Sequence, residues 1–293
     1  MVDITVPATT ANMGPGFDCF GCALTLYARF RFSWRPEGLY ITGCPEAYRG
    51  AKNLAYRAYA HACERLRVAP GGLAVDIRSD IPAARGLGSS AAFVLAGITA
   101  AFALHRGEVA EEEVLALALQ MEGHPDNIAP ALLGGMQASL IVDGKVHTAA
   151  AAVHPSYAFL ALIPPFELPT DKARGVLPKA VSMADAVHNV SCAAMLLKAL
   201  ASGDAGLLRL AGDDRLHQPY RYPLIPGADT LRDEALRQGA DMVFISGAGS
   251  SLMCLHRDPV FPQRFAAWLH ETGSVWQTLL LALDTRGLQW SLI

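Results

Sequence analysis

Three short runs in the chain concentrate residue types that do chemistry. In Pro82-Ala83-Ala84-Arg85-Gly86-Leu87-Gly88-Ser89-Ser90-Ala91, glycines let backbone N–H groups crowd around an anion, and a following helix adds the positive end of its dipole. That is a phosphate cradle by composition; the competing reading is a plain helix cap. The spacing is not that of a G-x-x-x-x-G-K-[S/T] loop. Gly86, Gly88 and Ala91 fit the looser G-x-G-x-x-A pattern, but the strand before them ends at Ile77, too far upstream for a dinucleotide-binding turn. In Glu122-Gly123-His124-Pro125-Asp126-Asn127, two acids, an imidazole and an amide fall within a few residues of an otherwise apolar stretch. A carboxylate here that reaches the same place as bound phosphates can hold Mg²⁺, which bridges carboxylate and phosphate oxygens. The alternative is a turn in which Asp126 or Asn127 caps the next helix. Ser246-Gly247-Ala248-Gly249-Ser250-Ser251, taken alone, is a tight turn between two apolar strands.

These runs need elements to carry them. Val2–Val6 reads as a short strand and Cys22–Trp34 as a longer, partly alternating one. Lys52–Val68 places Ala55, Tyr56, Tyr59, Ala60, Cys63 and Leu66 on a helical stripe, and Leu73, Val75 and Ile77 alternate with Asp76 and Arg78 as a strand. The uncharged run Gly86–Leu104 passes a hydropathy test for a membrane span, yet its Gly-Leu-Gly-Ser-Ser start is loop and cap chemistry. What remains, Ala91–His105, has the length of a buried core helix. Glu108–Gln120 is a second helix with an acidic first turn that suits the helix dipole, and it delivers Met121–Asn127 as an ordered loop. Asp143-Gly144 between Gly135–Val142 and Lys145–Ala150 is a type I′ hairpin signal. A domain division follows at the Ala-rich stretch ending at His154-Pro155, giving parts 1–152 and 153–293. Strands in the second part are expected at Tyr157–Ile163, Met242–Ser246, Leu252–His256 and near Val275–Leu283. Its helices are expected at Asp171–Leu177, Ser182–Leu200, Ala205–Ala211, Asp229–Gln238 and Val260–Glu271, with a Pro/Tyr-rich loop at His217–Gly227.

The composition of the 293 residues, 52% hydrophobic and 17% charged with net charge −3, suits a chain with a sizeable core. No block of like charge supports a nucleic-acid footprint or a polybasic membrane patch, so a small-molecule partner is the default. Six cysteines and a start, Met1-Val2-Asp3-Ile4, without a basic or apolar leader pattern point to a reducing cytoplasm and free thiols. Cys19 and Cys22 have C-x-x-C spacing, but no second pair completes a metal set, and they read as small apolar residues at a strand start.

In order along the chain, these runs resemble the GHMP small-molecule kinases, and within them the branch that acts on homoserine. Val6-Pro7-Ala8-Thr9-Thr10-Ala11-Asn12-Met13-Gly14-Pro15-Gly16-Phe17-Asp18 looks like the opening motif, Gly86–Ala91 like the shared nucleotide loop and Glu122–Pro130 like the mid-chain motif. Pro169-Thr170 with Arg174, Asp185-Ala186-Val187-His188-Asn189, Arg221 with Leu224-Ile225-Pro226-Gly227, and Ser246–Ser251 follow in the expected order.

The resemblance implies an α+β fold in two parts: an N-terminal domain like ribosomal protein S5 domain 2, with a left-handed β-α-β crossover, and a C-terminal ferredoxin-like domain, the site lying between them. It implies ATP-dependent phosphorylation of the side-chain hydroxyl of L-homoserine, in threonine biosynthesis, by a cytoplasmic homodimer. By position, Arg174 and Arg221 would grip the substrate carboxylate and Asp18 would receive the amine, with Thr170 in the same pocket. Asn12, His124 and Asn127 would line the pocket near the reacting hydroxyl. Gly86, Leu87, Gly88, Ser89 and Ser90 would wrap the ATP phosphates with Arg85 beside them and Gly247 and Gly249 in a supporting loop. Ser90 and Glu122 would hold Mg²⁺, and Asn53 would meet the adenine end. Asn12, Asp126 and Asn127 are the catalytic candidates; relatives of the mevalonate kinase type use an aspartate base in the mid-chain motif, and the choice between Asp126, Asn127 and no base stays open. The chain departs from the family pattern at Ala83-Ala84-Arg85, where Arg85 either meets phosphates or points to solvent, in a shorter stretch before His124, and at Ser250-Ser251. A GHMP kinase for another small alcohol and a non-catalytic ligand-binding relative are the alternatives.

Overall fold

A computed structural model describes residues 1–293. Its first sheet grows from two long antiparallel strands, β1 (Val2–Ala11) and β2 (Phe20–Arg35), whose register shifts between Pro7 and Ala8. Both run beyond their expected ends, β1 furthest, because the polar and small residues of the opening motif in it are buried against the rest of the molecule and so break the alternation that marks a strand in sequence. On the other side of β2 lies β4 (Gly72–Ser79), which pairs in parallel with β3 (Leu39–Thr42). Helix α1 (Leu54–Leu66) makes the crossover between that parallel pair. The hairpin β5 (Met136–Val142) and β6 (Lys145–Ala151) extends from the start of β2, and Asp143 and Gly144 both take the positive φ that a type I′ turn requires.

Helix α2 (Ser89–Arg106) packs against α1, β1, α3 (Glu111–Glu122) and α4 (Ile128–Leu133). Its length and mean hydropathy of 1.2 are those of a membrane span, and 67% of it is buried inside this protein. It is apolar all round because protein surrounds it.

The second sheet contains β7 (Ala158–Ile163), β8 (Met242–Ile245), β9 (Leu252–His256) and β10 (Gln277–Leu281), every pair antiparallel. In space the fourth strand lies beside the first, followed by the third and the second. With helices after the first strand and after the third, this is the ferredoxin-like arrangement. Strand β7 is apolar throughout since both faces are covered: Phe159 and Ala161 join the core shared with the first sheet, whereas Leu160 and Leu162 pack towards α9 (Ala228–Arg237) and α10 (Phe261–Glu271).

Between β7 and β8 run α5 (Thr170–Gly175), α6 (Met183–Ser202), α7 (Ala205–Ala211) and α8 (Gln218–Arg221). The last falls inside the expected Pro/Tyr-rich loop; Pro219 sits in its first turn, where a missing N–H costs nothing.

The interval from β6 to β7 holds the expected division between residues 152 and 153. One correction concerns the end of the second part. Gln289–Leu292 forms β11, which pairs antiparallel with β1 in the first sheet. Four residues are too few to carry a periodic signal. The return is reinforced where Thr25 N–H donates to the Ala282 carbonyl at 3.0 Å and the Tyr27 hydroxyl to Asp284 at 2.7 Å.

Candidate active site

The first turn of α2 opens on a cavity of about 560 Å³ between the two sheets. Gly88 is the N-cap and offers no side-chain bond, while Ser89 lies within the helix, so the turn caps α2 by position alone. Ser89, Ser90 and Ala91 line the cavity with an uncapped helix end, where backbone N–H groups and the dipole favour an anion. The glycines also answer a packing need. At Gly86 (φ +75°) a Cβ would stand 2.1 Å from the Ser246 carbonyl, and at Gly88 (φ +73°) 2.0 Å from Thr9 Oγ1. Both are required by packing of the loop onto protein. Leu87 turns its side chain into the core, and its carbonyl accepts from Thr9 N–H at 3.1 Å.

From the same turn, Ser90 Oγ donates to Glu122 Oε1 at 2.5 Å, joining the start of α2 to the end of α3. This is an oxygen-only pair beside an anion site, and no group of three His, Cys, Asp or Glu side chains surrounds it. The donor set fits Mg²⁺, which takes one or two protein oxygens and completes its shell with phosphate and water.

Two expected nucleotide contacts lie elsewhere. Asn53 is 2% exposed and caps α1: its Oδ1 accepts from Ala55 N–H at 3.0 Å and its Nδ2 donates to the Tyr48 carbonyl at 3.0 Å. Its polar atoms are spent on the fold, and it does not line the cavity. Arg85 borders the cavity yet points its guanidinium neither at the phosphate site nor into solvent; the donors are held by the Pro164, Ala83 and Pro165 carbonyls.

At the other end, β1 leads into a loop in which Asn12 (φ 68°), Met13 (φ 44°) and Asp18 (φ 54°) are left-handed. Asn12 holds that loop closed, its Oδ1 accepting from Asp18 N–H at 2.9 Å and its Nδ2 donating to the Gly247 carbonyl at 2.8 Å. Asp18 is gripped by Arg174 of α5 in a two-pronged pair, 2.7 and 3.0 Å. Arg221 of α8 is 1% exposed, and its hydrogen bonds go to uncharged atoms: the Ala173 and Gly247 carbonyls and His217 Nδ1, each at 3.2 Å. Burial, then the Arg174 charge, push Arg221 down to about 10. Thr170 and Gly247 line the same cavity. Gly249 lies behind it, packed near Ile225 and Leu168, so its part is structural.

Between these ends sit His124, Asp126 and Asn127. Asp126, 2% exposed, accepts from His124 Nδ1 at 3.1 Å and from Asn127 Nδ2 at 3.3 Å. Burial works against charge on His124, but the hydrogen bond and charge of Asp126 outweigh it and raise the imidazole's pKa. Asn127 precedes α4 without capping it by its side chain; its Oδ1 accepts from Thr9 Oγ1 at 2.7 Å instead. Asn127 is thus the N-cap of α4 by position alone. The turn Ser246–Ser251 is indeed a tight hairpin turn, closed by Ser246 N–H on the Ser251 carbonyl at 2.9 Å, and it also supplies the Gly247 carbonyl to the site.

Several residues that shape the site had no role assigned from sequence. Phe17 lies under both arginines, 5.8 Å from Arg174 and 5.2 Å from Arg221, and stacks on His217 at 5.1 Å. His217 is fully buried and donates from Nε2 to the Gly14 carbonyl at 2.9 Å, which leaves Nδ1 to accept from Arg221. Burial lowers its pKa, so it stands neutral. Asp214 accepts from the N–H groups of Leu216, His217 and Gln218, and from Asn189 Nδ2 at 2.8 Å, which fixes the turn into α8. Thr9 and Phe17 fall within the opening motif, and His217 precedes Arg221 by one helical turn; those positions were the available signal.

Models of the "GHMP kinases N terminal domain" and "GHMP kinases C terminal" match residues 53–135 and 196–273. A homoserine kinase of Clostridium botulinum (strain ATCC 19397 / Type A) is 40% identical over 289 residues, 98% of this chain and 97% of that one. One of Nostoc punctiforme is 41% identical over 296 residues, again 98% and 97%. Among solved structures, homoserine kinase from Cytophaga hutchinsonii superposes with a TM-score of 0.85 at 26% identity, covering 99% of this chain and 97% of that one. L. major mevalonate kinase in complex with R-mevalonate gives 0.74 at 15% identity over 96% of each chain, a likeness of fold.

Proposed function

We infer, from a chain that belongs to the GHMP kinases and within them to the homoserine kinases, that it transfers the terminal phosphoryl group of ATP to the side-chain hydroxyl of L-homoserine. One observation carries the acceptor: a bidentate Asp18–Arg174 pair beside a buried arginine with only uncharged partners, both arginines lining the cavity that also receives the amino end of α2. An α-amino acid zwitterion offers the counter-charge that Arg221 lacks and can re-pair both halves of the Asp18–Arg174 bridge. Its ammonium takes Asp18, its carboxylate takes Arg174 and Arg221, and one ion pair is exchanged for two.

With the zwitterion held there, the side-chain hydroxyl extends along the cavity towards His124 and Asn127. The first-turn N–H groups of α2 and the Ser90 hydroxyl hold the phosphates of ATP, Ser90 and Glu122 being the residues that would hold Mg²⁺. Bound there, the metal supplies charge neutralisation for the transferring phosphoryl group. Phosphoryl transfer asks mainly for such positioning and charge stabilisation. Asn12 keeps the Asp18 loop against Gly247, and Asp126 fixes the imidazole of His124 and the amide of Asn127, which is a positioning role whether or not it also takes the proton.

The exposed Met183, Val187 and Val190, one apolar face of α6, support the homodimer in this reading. Sedimentation of the purified protein decides it. The function itself is tested by coupled ADP release with Mg-ATP and L-homoserine, mevalonate, galactose, shikimate or no acceptor. Turnover with homoserine alone is the expected result; turnover with another alcohol and none with homoserine overturns the acceptor assignment.

A further inference from the structure

The contacts of Arg85 join two segments that the proposed chemistry must keep in register. Nε, Nη1 and Nη2 donate to the carbonyls of Pro164, Ala83 and Pro165, each at 3.1 Å, and Glu167 lies 3.4 Å from Nη1. The side chain is 15% exposed. Three fixed backbone acceptors in different directions suit a planar fork of donors, which a lysine ammonium cannot copy. Further bonds knit the same region: Leu168 N–H to the Ala84 carbonyl at 3.3 Å, Ser251 N–H to the Arg85 carbonyl at 3.2 Å, Ser246 Oγ to the Gly86 carbonyl at 2.6 Å, and Ser250 Oγ to the Phe166 carbonyl at 2.9 Å. On one side the chain runs directly into the phosphate loop Gly86–Ser90. On the other it runs directly into Thr170 and Arg174 of α5.

We propose that Arg85 is a positioning residue that staples the phosphate loop to the acceptor-binding segment 166–174 and so sets the distance between phosphoryl donor and acceptor hydroxyl. The proposal rests on the reading of this cavity as a kinase site. It assigns Arg85 no contact with phosphate, because each of its nitrogens is already engaged at the junction between the sheets. Loss of the staple leaves the first turn of α2 and the Ser90–Glu122 pair in place, so ATP still binds. What is lost is the alignment of reacting atoms, where a misplacement of about 1 Å costs roughly a hundredfold in rate.

The test compares Arg85→Ala and Arg85→Lys with the wild type in steady-state kinetics, with and without millimolar methylguanidinium, and in amide exchange of the unliganded proteins. Both variants should lose about 30- to 100-fold in kcat, with KM for ATP held within about threefold. Methylguanidinium should restore part of the activity of Arg85→Ala and leave the wild type unchanged. The Leu168 amide should exchange at least about tenfold faster in both variants, with melting curves confirming that each is folded. A rise of KM for ATP at unchanged kcat would make Arg85 a phosphate ligand and overturn the proposal, as would wild-type kcat in Arg85→Lys. Should the wild type phosphorylate some other acceptor, the homoserine reading fails while the Leu168 amide still decides the staple: unchanged exchange refutes it, faster exchange supports it.

Discussion

Replacing Arg221 by Met separates a residue kept for its ligand from one kept for the fold. The guanidinium is buried, and its partners are two carbonyls and a neutral imidazole. Burial and the neighbouring Arg174 hold it at about 10, well below a free guanidinium, which amounts to about 3 kcal/mol against charge at neutral pH. Because the folded value is the lower one, stability is regained only as pH rises beyond about 10. The whole cost is therefore present at any ordinary pH. Against it stand three hydrogen bonds from a charged donor, each at the low end of such bonds, about 1.5 kcal/mol, because the contacts are long. The two sides nearly cancel, and methionine, long and apolar, fills much of the volume. Arg221→Met should thus melt within about 5 °C of the wild type in the free state. Homoserine binding should suffer far more, since its carboxylate loses a desolvated partner worth roughly 2–5 kcal/mol, a factor of at least about 30. Differential scanning calorimetry with titration of homoserine and coupled ADP release reads both quantities. A fall in melting temperature of more than about 10 °C, matched by loss of ATP binding, would make Arg221 a structural staple. Undiminished homoserine affinity would remove the carboxylate from this place.

Other changes test other parts of the site. Glu122→Gln should raise the Mg²⁺ concentration needed for half-maximal rate and lower turnover, and an unchanged Mg²⁺ titration would take Glu122 out of the metal's surroundings. His217, its pKa lowered by burial, must stay neutral to accept from Arg221; Asp214, Asp18 and Arg221 are the charges that face it. Its folded value lies below 6.5, so stability is full above 6.5 and is lost as pH falls from there towards the folded value. KM for homoserine should rise over the same acidic window, and His217→Gln, which still offers an acceptor, should flatten that rise. Gly88→Ala places a Cβ against Thr9 in a left-handed turn and should cost at least about 2 kcal/mol, read as a lower midpoint in urea and weaker ATP binding.

Local chemistry was legible in the sequence; contacts across the chain were not. The glycine loop, its uncharged helix and the Asp143-Gly144 hairpin follow from turn chemistry and periodicity acting over a few residues, and so does the burial of α2. The family resemblance supplied the ferredoxin-like character of the second part, and it assigned Asp18, Arg174 and Arg221 to one substrate pocket without pairing them. What escaped has a common cause. Asp18 meets Arg174 across 156 residues, Asn12 meets Gly247 across 235, and Arg85 meets Pro164 across 79. Such partners are set by how the two sheets close on one another, which no window of sequence samples. The same holds for β11, whose four residues are a strand only because β1 offers them an edge. Asn53 shows the converse: an amide expected at a nucleotide caps α1, the local role that its residue type and position equally allow.

The Asp18–Arg174 pair also bears on which alcohols are refused. Its two side chains are 33% and 34% exposed, so the pair can open without unfolding anything around it. Opening is favourable only when both halves are re-paired. A substrate with a carboxylate and a hydroxyl but no amine, such as 4-hydroxybutyrate, satisfies Arg174 and Arg221 and strands Asp18; a neutral sugar strands Asp18 and both arginines. A site built to pair a polar group rejects the analogue that lacks it, by as much as 10⁴-fold when the group is buried. Partial exposure of Asp18 lets water compensate in part, and the expected discrimination in kcat/KM is about 30- to 300-fold for homoserine over 4-hydroxybutyrate. Asp18→Asn should narrow that ratio by slowing homoserine and sparing 4-hydroxybutyrate, because the stranded charge is gone from the start. If the variant slows both acceptors equally, Asp18 holds the loop beside Asn12 and takes no part in reading the amine.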